Sequence, residues 1–286
     1  MSESTKSRAD ALKDILRTIE IPSCPTVLVQ LRGLLSRDDV NLQEISRVAA
    51  QDVGLSASLL KVANSPFFGL PQKLDSLSQA VSVLGLATVS TISAGVLLKH
   101  RLGADGGHDL DVFCDTCGRV AMLCARIARE VGGVTSDVAY TFGLFQNAGI
   151  AILMKRFPDY GQTLAEAGAN PGRAVTAIED ERHQTNHAVI GYLLTRSWGL
   201  SEQVSRAVLV HHDFSIFRPE AEEKAAASRR LVAISTLATH FVNDYLRLPA
   251  DSDWIRGEKT VIDHLEMRTT EVLDLREACF EELELA

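Results

Sequence analysis

VAAQDVGLSASLLKVANSPFFGL, residues 48–70, carries the pattern that decides the fold. From Ala57 to Ala63 its apolar side chains recur every three or four residues, the period of one helical face, and not every second residue as a half-buried strand requires. Pro66 and Gly69 then end the run. The same period extends outward through Ala11 to Ile19, Val27 to Leu35, Ile45 to Ala50 and Val81 to Leu98. Pro22, Pro25, Pro71, Gly103, Gly132 and Gly133 fall between these runs, where helices stop. No long β-branched alternation interrupts them, so the expected fold is all-α, a multi-helix bundle.

The clearest interruption is LGADGGHDL, Leu102 to Leu110, where three glycines and two aspartates separate long helical patterns. It divides the expectation into an N-terminal helical subdomain, 1–103, and a second helical subdomain, 104–286, together one unit. Further helices are expected at Asp111 to Glu130, Asp137 to Arg156, Tyr160 to Ala167, Gly172 to Glu181, His187 to Trp198, Glu202 to His211, Glu223 to Tyr245 and Thr269 to Glu282. Helix starts have exposed amides without intrahelical partners, so Thr185 or Asn186 suits the start before His187, and Ser201 the next one. Gly199 fits the stop between them.

The chain of 286 residues is 46% hydrophobic, enough for one large core or two modest ones. Its formal charge of -8 repels phosphate backbones, so long nucleic acid is not an expected partner. No window approaches 18 uncharged apolar residues, and the charged start MSESTKSRADALKDILRTIE lacks the apolar centre of a signal peptide. A cytoplasmic protein without a membrane partner is expected. Five cysteines in a chain of this length read as reduced thiols. Cys114, Cys117 and Cys124 resemble a metal-ligand run, but offsets of three and seven make a single helical stripe with Val120 and Ala121, the pattern of a packed seam.

His183, His187, His211 and His212 gather in the second half. Four-residue spacing would put His183 and His187 on one face, yet the capping residues between them start a new helix. His211 and His212 end a helix whose carbonyls already favour a cation, so function and local stabilisation both account for them. GxxxxGK[ST], GxGxxG and GxSxG are absent, which removes the usual sequence support for phosphate-cradling loops and serine hydrolysis.

IPSCPTVLVQLRGLL, VAAQDVGLSASLLKVANSPFFGL and LSQAVSVLGL, followed by GLFQNAGIAIL, HAVIGYLLTRSWGL and the His211–His212 pair, resemble the HDOD domain, the HD-related output domain of bacterial signalling proteins. The resemblance covers roughly Ile21 to Phe214. It implies a helical relative of the HD phosphohydrolases, whose active members hold a divalent ion with a histidine, a His-Asp doublet and a later aspartate. Carried over, the histidine falls near Thr116 and the doublet on Gln146 and Asn147. The later aspartate falls in LVAISTLATHF, Leu231 to Phe241, which contains no carboxylate.

Neutral amides offer neither charge nor a basic nitrogen to offset dehydration of such an ion. The expected function is therefore a non-catalytic signalling module that binds a protein partner in a bacterial pathway, with no metal and no cofactor. Its former cleft would be lined by Thr116, Gln146, Asn147, His187, His211 and His212, and its docking surface by Gln51, Asp52, Asn64 and Phe68. Two alternatives stand beside it. One is a metal-dependent phosphohydrolase or cyclic-dinucleotide phosphodiesterase built on His183, His187, His211 and Asp213. The other is a sensor of a small nucleotide, with Arg119, Lys155 and Arg156 for phosphate.

Overall fold

The helical period read from the sequence is realised throughout: among the described residues there are fourteen α-helices, one short 3-10 segment and no strand. The structure, a computed structural model, describes residues 18–284 apart from 36, 38, 65–69, 71, 104–106, 219–225 and 250. Most of the expected Ala11 to Ile19 helix and the start of the expected Glu223 to Tyr245 helix lie outside the described residues. Among the described residues, no single helix is long and apolar enough to cross a membrane.

The described residues of 23–114 and 273–286 form one compact unit. It contains α1 (Thr26–Leu35), α2 (Leu42–Ala49), α3 (Val53–Ala63) and α4 (Leu77–Gly103). Leu28 and Leu31, Ile45 and Ala49, and Leu55, Leu59 and Ala63 are fully buried, each set at the three- or four-residue offsets that face one side of its helix. The Asn41 side chain accepts from Gln43 N at 2.8 Å and the Asp52 side chain from Leu55 N at 2.8 Å, which fixes the starts of α2 and α3. Within the Leu-Gly-Leu element, Gly85 takes φ 74° and bends α4, a conformation that a side chain would disfavour.

The described residues of 1–22 and 115–272 form the second unit. After most of α5 (Gly107–Val131) come α6 (Ser136–Phe145), α7 (Ala148–Arg156), α8 (Tyr160–Ala169), α9 (Val175–His183), α10 (His187–Ser197), α11 (Glu202–Val210), α12 (Ala226–Tyr245) and α13 (Ser252–Leu265); α14 (Thr269–Glu284) closes the described chain. The sequence reading divides the chain at 103/104, whereas these units change over after residues 22, 114 and 272.

Two elements differ from expectation. The single helix expected from Asp137 to Arg156 is two helices, broken at Gln146 and Asn147. At the break α7 approaches α10 so closely that a Cβ on Gly149 would lie 2.1 Å from the His187 carbonyl oxygen. A continuous helix would not bring these backbones together at that point. The second difference is α13, which was not anticipated; Asp251 caps it by accepting from Asp253 N at 2.8 Å and Trp254 N at 2.9 Å.

The core of this unit is α12, whose residues from Leu231 to Ala238 are all buried. Trp198, which ends α10, is also wholly buried and donates its indole N–H to the Pro22 carbonyl at 2.8 Å. Of the five cysteines, Cys124 and Cys279 are buried and Cys24, Cys114 and Cys117 half-buried.

Candidate functional site

Three histidines meet in the second unit. His187 opens α10, held there because Asn186 accepts from Val189 N at 3.0 Å; His211 and His212 follow the last turn of α11, whose start Ser201 caps. The His187 Nε2 atom lies 3.3 Å from His211 Nε2 and 2.9 Å from His212 Nε2. His211 Nε2 is also 3.3 Å from Asn147 Oδ1, which the break between α6 and α7 presents to the cluster.

The far side of each ring is committed. His187 Nδ1 donates to both Glu179 oxygens, at 2.8 and 2.9 Å, His211 Nδ1 to the Val208 carbonyl at 2.7 Å, and His212 Nδ1 to Asp253 Oδ2 at 2.5 Å. All three partners only accept, so each Nδ1 carries a hydrogen, and in a neutral ring the Nε2 is left to present its lone pair to the centre. With His212 Nε2 at 2.9 Å and His211 Nε2 at 3.3 Å, the lone pair of His187 Nε2 meets repulsion unless a cation, a proton or a metal ion, lies among them.

The two carboxylates behind the rings are themselves buried and satisfied. Glu179 accepts from Tyr160 Oη and from the His187 backbone N–H, and Asp253 pairs with the Arg256 guanidinium. Burial pushes Glu179 up, but the adjoining His187 ring and the hydrogen bonds from His187 and Tyr160 outweigh it and hold the carboxyl below its ordinary value. Asp253 behaves alike: burial opposes ionisation, and the His212 ring and Arg256 more than compensate. Burial also works against a charge on His212, yet Asp253 wins and raises it. His211 has only a backbone carbonyl behind it, and burial, then the His212 and His187 rings, lowers it well below the usual imidazole value.

On the solvent side, a cavity of about 560 Å³ is bordered by His212, Asn186, Ser215, Arg218 and Arg256. Next to Asp253, the Trp254 ring stacks on His240 with centroids 4.0 Å apart and planes 3° from parallel.

Other residues singled out by sequence take different places. Gln146 is buried and donates from Nε2 to Thr239 Oγ1 at 3.4 Å, while Thr116 is half-buried on α5. His183 is not in the cluster: its Nε2 is 2.8 Å from Thr163 Oγ1, and its ring stacks on Phe157 at 4.4 Å. Asp213 is exposed and accepts from Ser215 N at 2.9 Å. The expected four-residue set of His183, His187, His211 and Asp213 is therefore assembled only at His187 and His211; His212 takes the third place.

Lys155 and Arg156 are exposed at the end of α7, with Arg156 donating to Thr18 Oγ1, and Arg119 is half-buried on α5. In the first unit, Asp52 is occupied as a cap. Asn64 clamps a loop through Leu74, donating to its carbonyl at 2.8 Å and accepting from its N–H at 2.6 Å. Gln51 is exposed, and Phe68 lies outside the described residues.

Sequence reasoning missed Glu179, Asp253 and Tyr160. Glu179 sits in the charged run EDER, which reads as a solvated face, and Asp253 lies on the unanticipated α13. The tandem His211–His212 was the legible signal.

The chain belongs to the HDOD domain family, whose model matches residues 21–214. It is 25% identical over 229 residues to an uncharacterised protein of Treponema pallidum, covering 79% of this chain and 44% of that protein. The chain thus spans under half the length of that relative. Among solved structures, an HDOD domain protein of Geobacter sulfurreducens superposes with a TM-score of 0.68 at 19% identity, covering 97% of this chain and 99% of that one. A Shewanella amazonensis protein named as a candidate phosphohydrolase gives 0.66 at 20% identity, with 96% and 98% covered. These likenesses establish the fold.

The divalent ion bound by HD phosphohydrolases does not fit the corresponding residues of this chain. Thr116, Gln146 and Asn147 offer a hydroxyl and two amides, Gln146 donates to Thr239, and the Leu231 to Phe241 run has no carboxylate. A hard ion with oxygen preference finds no anionic ligand at these positions.

Proposed function

We propose that the chain is a signal-transduction module that acts by binding a protein partner in a bacterial cytoplasm, without turnover at an HD-type centre. The observation that supports this most is the pair at the doublet position. Gln146 is spent on Thr239, and Asn147 faces imidazoles, so no group there supplies the negative charge an HD-type ion requires. Restoring the doublet by Gln146→His with Asn147→Asp should leave magnesium binding negligible, because Thr116 and the carboxylate-free run from Leu231 to Phe241 still lack their share. Isothermal titration checks this, and tight magnesium binding by the double variant would contradict it.

A second reading has one observation in its favour. Three imidazoles stand beside a cavity bordered by Arg218 and Arg256, an arrangement suited to a metal-dependent phosphohydrolase. The two readings separate on turnover. Purified chain incubated with zinc, manganese or ferrous ion and with cyclic dinucleotides or a chromogenic phosphodiester should give no hydrolysis above buffer. Hydrolysis that His212→Gln abolishes would decide for the enzyme.

A further inference from the structure

We infer that His187, His211 and His212 form a binding site for one zinc-class transition-metal ion, each ring contributing its Nε2 atom. The site takes none of its imidazoles from the doublet position of the HD enzymes, although Asn147 of that position borders it, and it does not depend on the module reading above.

The geometry has the right scale. Zinc–imidazole bonds of about 2.0–2.1 Å in a tetrahedron place neighbouring nitrogens about 3.3 Å apart. The observed separations are 3.3 Å for His187 to His211 and 2.9 Å for His187 to His212, and the three candidate donor atoms all lie within 4.8 Å of one another. Two of the three separations thus lie within a few tenths of an ångström of that value, and the third, His211 to His212, is no more than 4.8 Å.

The rings are also oriented as ligands. Histidines that bind metal through one nitrogen ordinarily donate from the other to a carboxylate or a carbonyl, which fixes the tautomer and the ring plane. Here all three do so, to Glu179, Val208 and Asp253. The supporting groups are held in turn: Tyr160 and the His187 N–H hold Glu179, and Arg256 holds Asp253. A merely structural histidine cluster has no need to turn three acceptor nitrogens toward a common point.

The donor set selects the ion. Three imidazoles and the neighbouring Asn147 Oδ1 offer no anionic oxygen, which disfavours magnesium and calcium, whereas imidazole suits zinc, cobalt and nickel. His212 is the ligand nearest solvent, its side chain 12% exposed against 0% for His187, so an ion enters from the cavity beside Arg218 and Arg256.

The test uses the full chain, stripped with a chelator and dialysed. Competition with a chromophoric zinc chelator should give one zinc per chain, and cobalt should produce the absorption of a tetrahedral nitrogen site without a thiolate charge-transfer band. Zinc at a hundredfold excess over Kd should raise the melting temperature by roughly 5–10 °C, and magnesium should leave it unchanged. His212→Gln and His211→Asn should each weaken zinc by roughly a hundredfold or more, since losing even a supporting partner costs 10- to 100-fold. His183→Gln should bind as the parent does. Helical circular dichroism in chelator separates lost ligation from lost folding. Failure of the folded parent to retain zinc at micromolar concentration overturns the inference. So does stoichiometric binding that survives both substitutions, or a thiolate band that assigns the metal to Cys114 and Cys117. Hydrolysis by the loaded protein would instead count against the module reading while leaving this site intact.

Discussion

Asp253 does two things at the scale of a single residue: it orients the His212 ring through Nδ1, and its charge favours protonated His212. Asp253→Asn keeps the shape and removes the charge. The His212 pKa should then fall, as NMR titration of its ring proton would register, and zinc affinity should drop about 10- to 100-fold. Glu179 is the more deeply committed partner, wholly buried and bonded to His187 through both ring and backbone. Glu179→Gln cannot accept at both oxygens and should cost roughly 3 kcal/mol, as breaking one side of a buried pair does. Urea unfolding followed by circular dichroism would measure it.

Among elements, the site depends on the break between α6 and α7. Gly149 lets the start of α7 lie against the His187 carbonyl, and Gly191 on α10 is likewise close to the Val208 side chain. Gly149→Ala would force a methyl into backbone, with little room to relax. It should destabilise by about 1–3 kcal/mol, the scale of overpacking, and displace Asn147 from His211. A lowered urea midpoint together with weakened zinc binding is the expected pair of readouts. Local chemistry made some of these elements legible in sequence: Asn186, Ser201 and Gly199 mark their helix ends by capping and turn preference alone. The break at Gln146 was illegible because apolar period continues across it, and it is enforced by a neighbouring helix rather than by proline or a local cap. For α13 the signal was present, since Trp254, Gly257, Val261 and Leu265 recur at offsets of three and four. The charged residues between them hid it.

For the whole molecule, pH acts through histidines inside and outside the cluster. Burial lowers His183 and, together with the neighbouring rings, His211, and burial with Arg230 and Arg229 lowers His264. A histidine with a depressed folded pKa takes up its proton more readily when unfolded. These groups therefore leave stability complete above about pH 6.5, the unfolded imidazole value, and reduce it as pH falls below that. His212 has the opposite sign, its contribution fading as pH rises through its raised value, and the lowered carboxylates act only in stronger acid. In chelator the urea midpoint should decline from pH 6.5 to pH 5, and His183→Gln should flatten that decline. The all-helical architecture was legible over most of the chain because helical period is a local property. The cluster was only half legible: its three imidazoles come from a helix start and a helix end, and the acids behind them from segments eight and about forty residues away. Only folding makes them neighbours.

The stacking of Trp254 on His240, one residue from Asp253, has an optical consequence. With Trp198 sealed in the core, the second unit carries two indoles that answer to different events. A change confined to the histidine cluster should alter the emission of Trp254 alone, so a Trp198→Phe variant would make intrinsic fluorescence a direct gauge of site occupancy.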